Sequence, residues 1–286
     1  MLKLLPEVVL EKSIEVPGIK YSTHITILPS DRFCISDDFS TLVLADQSGN
    51  LLHTISDVSD KGHGTHTVTS SGDLIYLDNG HNVCRLSSKD KTKNVLFSIK
   101  DPWTPWCVYS SPSNGDMLIG MKTAGKQDSK VLRFNSSGKE LAVFKQKDSK
   151  NNCLFGIPHY ITENKNGDVI ISDMKTAIVA MTRDGDFRFN YRGPPFRYRR
   201  LLARAVCTDA LCNIIVNCAT TGSVQIIDKD GKFLALLLEP AETGMNLIPY
   251  GLAYDTESNL LVIGSQTGNI LSVISIYRTK DLVLTK

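Results

Sequence analysis

A turn followed by a short apolar strand recurs six times along this chain, and that recurrence limits the available folds more than any other feature. The copies are Ser30 to Ile35, Gly72 to Leu77, Gly115 to Ile119, Gly167 to Ile171, Cys212 to Val216 and Ser258 to Ile263. Counted from positions 32, 73, 116, 168, 213 and 259, the spacings are 41, 43, 52, 45 and 46 residues. A period of this length marks repeated supersecondary units, none of which can bury its apolar faces alone.

A second signal runs in phase with the first. Ser48-Gly49, Ser137-Gly138, Asp184-Gly185 and Asp230-Gly231 each lie between two short apolar runs, where glycine supplies the positive φ of a tight hairpin. Each repeat therefore holds about four short strands, and no stretch has a capped helical period. Six such units pack radially into an all-β fold, a six-bladed β-propeller of four-stranded antiparallel blades. The expected blades span 21–57, 64–99, 103–146, 155–193, 202–239 and 248–278 of a single domain, 1–286. The last copy lacks a convincing glycine hairpin, whereas residues 8–16 have strand character and no repeat of their own. That segment is expected to complete the sixth blade, since an open ring would expose two sheet edges.

Composition narrows the function. Lys+Arg 32 against Asp+Glu 30 leaves a net charge of +2, which excludes a nucleic-acid binder acting through bulk charge and leaves only a local basic patch. The longest apolar run, Phe233 to Leu238, is far short of a membrane span, and Pro6 and Glu7 interrupt the N-terminal apolar residues before a secretion signal develops. Seven scattered cysteines without a Cys-x-x-Cys pair fit a reducing compartment and exclude a zinc module of the RING or B-box kind. The expectation is a cytoplasmic, monomeric chain without a cofactor.

The fourth copy carries the most specific punctuation. Residues 155–173 read Phe-Gly-Ile-Pro-His-Tyr-Ile-Thr-Glu-Asn-Lys-Asn-Gly-Asp-Val-Ile-Ile-Ser-Asp, followed by a strand and the Asp184-Gly185 hairpin. This resembles the NHL repeat, with its proline before the first strand, Asn-Gly before the second and an aspartate closing it. No Trp-Asp or Gly-Gly pair points instead to WD or kelch blades. The chain as a whole is similar to the C-terminal propeller of tripartite-motif proteins, especially the invertebrate ones. That resemblance implies a non-catalytic client-recognition module of a ubiquitin-ligase system, with a protein or single-stranded RNA client and a RING-containing partner elsewhere. The ligase activity of that family resides on domains that these residues do not contain.

Candidate binding residues follow from the repeat register. The positions before the first strand of each copy are His24, His66, Trp106, His159, Arg204 and Tyr250, which should ring one mouth of the central channel. They offer stacking faces and donors to a ligand, or else simply fill a narrow throat. At the same mouth, the connection from blade four to blade five carries Arg192, Phe196, Arg197, Tyr198, Arg199 and Arg200, a set suited to phosphate or carboxylate, or a solvated spacer. An alternative of another class is a metal-dependent lyase or hydrolase with a channel-centred site on His24, His66 and His159. It rests on a distant resemblance to the propeller of peptidylglycine α-amidating lyase, to which Arg204 and Tyr250 are analogous by position. Weaker signals are set aside: Gly120 to Gln127 leads into a strand rather than the helix of a phosphate loop, and Asp228 to Gly231 is a hairpin rather than a calcium loop.

Overall fold

The computed structural model of the chain describes residues 2–30, 32–62, 64–123, 128–145, 153–173, 177–195, 201–239 and 248–278. It contains six four-stranded antiparallel sheets arranged in a ring, and no helix among the described residues. Within blades one to five the strand order follows the sequence from hub to rim. The inner strands are His24–Leu28, His66–Val68, Trp103–Ser110, Pro158–Glu163 and Ala203–Thr208. Blade six has Pro249–Asp255 innermost, and its rim strand is Lys3–Glu15, paired antiparallel with Ile270–Arg278. The N-terminal strand thus closes the ring, as the repeat count requires, and it starts five residues earlier than the apolar pattern of residues 8–16 suggests. Two register shifts, between Leu4 and Val9 and between Leu10 and Lys12, absorb the extra length.

Turn chemistry explains why the repeats are so regular. In the outer hairpins, Asp46 Oδ1 accepts from the backbone N–H of Ser48 and Asn50, Asn135 Oδ1 from Ser137 and Lys139, and Asp228 Oδ1 from Asp230 and Lys232. The glycine that follows takes φ of 88° at Gly49, 80° at Gly138 and 85° at Gly231. The Asp228 segment is accordingly a hairpin, and Gly120 lies inside the strand Met117–Thr123.

Sheet faces bury one another between blades, so the core forms several clusters around the ring. The largest joins blades four, five and six through Ile170, Ile178, Ile215, Val216, Leu261 and Ile274. A second joins blade six to blade one, with Ile14 of the closing strand against Ile25, Val43 and Val273. Cys34, Cys84, Cys107, Cys207, Cys212 and Cys218 are free and buried, as small core residues. No helix among the described residues is long and apolar enough to cross a membrane.

Candidate functional site at the hub

Because every inner strand runs in the same direction along the axis, the starts of these strands meet at one mouth of the channel and their ends at the other. His24, His66, Trp106, His159, Arg204 and Tyr250 all lie at the first mouth, and the structure connects neighbouring members directly. The His24 and His66 rings lie 4.0 Å apart between centroids, Trp106 meets His159 edge-on at 6.0 Å, and the Arg204 guanidinium lies 4.1 Å over the Tyr250 ring. His66 and His159 are buried, and Tyr250 is only 4% exposed. The ring is therefore a packed throat with limited openings rather than a broad face.

The throat is filled by a residue that the repeat register passes over. Tyr160 follows His159 on blade four, meets His24 edge-on at 5.3 Å, and donates from its phenol to the Thr23 carbonyl at 2.6 Å. Blades one and four face each other across a six-membered ring, so this bond spans the axis. Burial, with the nearby Asp38 carboxylate adding to it, raises the Tyr160 pKa well above that of a free phenol, which keeps the donor proton in place. The segment leading to blade two also reaches the hub: Gly64 donates to the His159 carbonyl at 3.0 Å and accepts from Val108 N at 2.7 Å. A Cβ at Gly62 would overlap the Trp106 carbonyl, so glycine there permits the close approach.

Two groups around this plug have defined polar partners. Tyr250 donates its phenol proton to Asp38 Oδ2 at 3.0 Å, and Arg204 Nη1 donates to Gln266 Oε1 at 3.1 Å. Burial raises the Tyr250 pKa, the Asp38 carboxylate raises it further, and the Arg204 charge opposes both. Tyr250 is thus a protonated phenol held between a carboxylate and a guanidinium. Asp38 and Gln266 come from the loops joining second and third strands of blades one and six, positions that the inner-strand register does not sample.

The histidines do not form a metal site. Burial lowers the His66 pKa to about 3, leaving a neutral ring whose Nε2 lies 3.2 Å from the Cys34 carbonyl and donates to it. Its Nδ1 is buried without a hydrogen-bond partner. Among the described residues no group of three or more His, Cys, Asp or Glu side chains is placed to hold a metal ion. The donor set His24, His66 and His159 therefore does not fit a catalytic zinc.

Below the plug the channel widens into a cavity of about 760 Å³ open at the far mouth, with His24 at its inner end and Thr67, Ser110, Glu163 and Tyr254 on its walls. Of the basic loop, Arg192 is exposed and its carbonyl accepts from Leu201 N at 3.2 Å. Phe196, Arg197, Tyr198, Arg199 and Arg200 lie outside the described residues. Lys122, absent from the sequence reading, places its Nζ 3.6 Å over the Trp106 ring.

No family model and no curated protein matches the chain. Solved structures match its fold along nearly its full length. One with a provisional gluconolactonase assignment superposes with a TM-score of 0.70 at 14% identity, covering 97% of this chain and 99% of that one. A gluconolactonase from Xanthomonas campestris gives 0.65 at 14%, covering 96% and 98%. Virginiamycin B lyase from Staphylococcus aureus gives 0.65 at 12%, covering 94% and 99%. The likeness establishes the six-bladed propeller. The expectation of a non-catalytic, tripartite-motif-type module tied to ubiquitination or RNA is corrected by the same comparison, since the propellers matched over their full length are described as gluconolactonases, one provisionally, and a lyase.

Proposed function

We propose that the chain is an enzyme that breaks a carbon–oxygen bond of an ester or lactone at the hub of the propeller, by hydrolysis or by elimination. Lactonase and lyase chemistry share three needs: a cation for the oxygen that gains negative charge, a base, and an acid for the leaving oxygen. The observation that carries the proposal is the chain Arg204–Tyr250–Asp38 at the throat. Arg204 holds the developing oxyanion through a guanidinium that forms no ion pair among the described residues. Tyr250, protonated through burial, donates to the leaving oxygen, and Asp38 orients its hydroxyl in the resting state. His24, partly exposed beside neutral His66, is the base. In hydrolysis it takes a proton from the attacking water as the acyl–oxygen bond breaks. In elimination it takes a carbon-bound proton as the electron pair forms the new double bond and the oxygen leaves.

The NHL-like punctuation of blade four is retained in this proposal as a statement about repeat type, compatible with a propeller lyase. The test is turnover of a panel of five- and six-membered lactones and acyclic esters in water enriched in oxygen-18. Label in the product acid marks hydrolysis, and an unlabelled product with new ultraviolet absorbance marks elimination. Loss of turnover in Tyr250→Phe and Arg204→Gln with intact folding supports the proposal. Unchanged turnover in both variants removes it.

A further inference from the structure

The innermost strand of every blade pairs on one side only, with the second strand of its own sheet, so its other edge faces the channel. Backbone N–H and C=O groups on such an edge are left for whatever lies beside them. Near the first mouth protein takes them up: Gly64 bonds to the edges of blades three and four, and Gly251 N donates to the Ser22 carbonyl at 3.0 Å. Below the plug two of them are met by threonines of an adjacent blade. Ser110 N donates to Thr67 Oγ1 at 3.2 Å, and the Glu163 carbonyl accepts from Thr208 Oγ1 at 3.0 Å. Thr26, Thr67, Ser110, Thr162 and Thr208, one from each of the first five blades, line the cavity of about 760 Å³ that opens at the far mouth.

Charge on the cavity wall is already engaged. The Glu163 carboxylate accepts from Arg133 at 2.6 Å. Asp209 Oδ1 accepts from the backbone N–H of Leu211 and Asn213, and its Oδ2 from the Asn213 amide and the Tyr277 phenol. His24, at the inner end, lies against the rings of His66 and Tyr160. Lys165 and Arg183 stand at the exposed rim, where solvent screens them. Between the hydroxyls the wall is apolar, with Ile25, Ile27, Val68, Val206 and Leu252. A charged ligand would lose its hydration there without gaining a counter-charge, a cost that an uncharged one avoids.

One wall group points to a ligand directly. Ser110 is 3% exposed, and its Oγ has no hydrogen-bond partner among the described residues. A buried hydroxyl without a partner carries a desolvation penalty that a ligand oxygen beside it removes.

We infer that the far-mouth cavity binds an uncharged organic molecule that carries hydroxyl groups on an apolar frame. Its hydroxyls pair with the serine and threonine hydroxyls and the open strand edges, and its frame packs on the aliphatic wall. The volume of about 760 Å³ is that of a small-molecule pocket. This site goes beyond the hub proposal and does not rest on it, since Arg204, Tyr250 and Asp38 do not line the cavity.

The test is equilibrium dialysis of the full chain against naphthylethanol, naphthylacetate, naphthylethylammonium and ethylnaphthalene, all of one ring isomer. The alcohol is expected to bind about tenfold tighter than either ion and about fivefold tighter than the hydrocarbon. Ser110→Ala should remove most of the advantage of alcohol over hydrocarbon without lowering Tm, because the hydroxyl it deletes has no protein partner. Thr256→Trp, at the exposed rim of the cavity, should weaken both. Equal or tighter binding of the acid would mark an anion site at His24 and overturns the inference. So do the failure of every probe to bind, an alcohol affinity unchanged in Ser110→Ala, and one unchanged in Thr256→Trp, which would place the probe outside the cavity. The hub reading is tested by turnover and this one by binding, so either can fail alone.

Discussion

The phenol of Tyr160 on blade four donates to the backbone carbonyl of Thr23 on blade one, the blade directly opposite, so a single hydrogen bond closes the propeller across its axis. Propeller blades pack chiefly on their neighbours, and this cross-axis bond, like the Gly64–His159 bond between the segment before blade two and blade four, couples elements that the repeat does not.

Replacing Tyr160 with Phe keeps the ring and removes the donor, leaving a buried carbonyl unsatisfied. The expected loss is about 1 to 3 kcal/mol of unfolding free energy, read by urea denaturation. A loss below about 0.5 kcal/mol means that water takes over the Thr23 carbonyl and the bond does not brace the hub.

Closure at the rim is expected to matter more. Ile14 is buried at 4% exposure against blade one, so Ile14→Ala should cost about 2 to 5 kcal/mol through lost transfer energy and the cavity left behind. Removing residues 1–16 exposes the edge of Ile270–Arg278, and concentration-dependent association in light scattering is the expected signature. A monomer of unchanged stability after that truncation contradicts the closure argument.

His66 gives the stability a pH dependence of known sign. Its pKa falls from 6.5 when unfolded to about 3 when folded, so between these values the unfolded chain binds more protons. Its contribution is complete above pH 6.5 and declines as pH falls toward 3, by up to about 1.4 kcal/mol per pH unit. The neutral variant His66→Gln can keep a donor for Cys34 and should remove this slope. Parallel stability–pH curves for the two proteins across pH 4 to 6 would contradict the buried neutral state.

The sequence made the ring legible because each blade repeats its own local instructions: a turn residue, an apolar run of fixed length and a hairpin glycine. Where glycine is replaced, as at Cys212 with φ 68° and Asn259 with φ 59°, the apolar runs still hold the phase. The hub residues in register, His24 to Tyr250, follow from the same periodicity. Tyr160, Asp38, Lys122 and Gln266 do not, since their roles arise from contacts between blades that no repeat alignment encodes. The fate of the histidines was also illegible, because His66 binds a carbonyl of the preceding blade rather than sharing a centre with His24 and His159. The functional class failed for a related reason: the punctuation of copy four reports the blade type, while the chemistry depends on which side chains meet at the axis.

Tyr250 and Asp38 offer the most direct test that the throat is reactive rather than merely filled. They lie on opposite sides of the blade six to blade one junction and meet through the 3.0 Å hydrogen bond, so each single variant breaks the same interaction. Tyr250→Phe removes the proton donor, with an expected fall in kcat of about 10² to 10⁴. Asp38→Asn leaves the phenol but weakens its orientation, and should cost less, about tenfold. If the two act as one unit, the double variant loses no more than Tyr250→Phe alone, whereas independent roles multiply the effects. Asp38→Asn also removes a charge that raises the Tyr250 pKa, so the alkaline limb of the kcat profile should move to lower pH. A merely structural Tyr250 leaves that limb where it is and shows its loss in Tm instead.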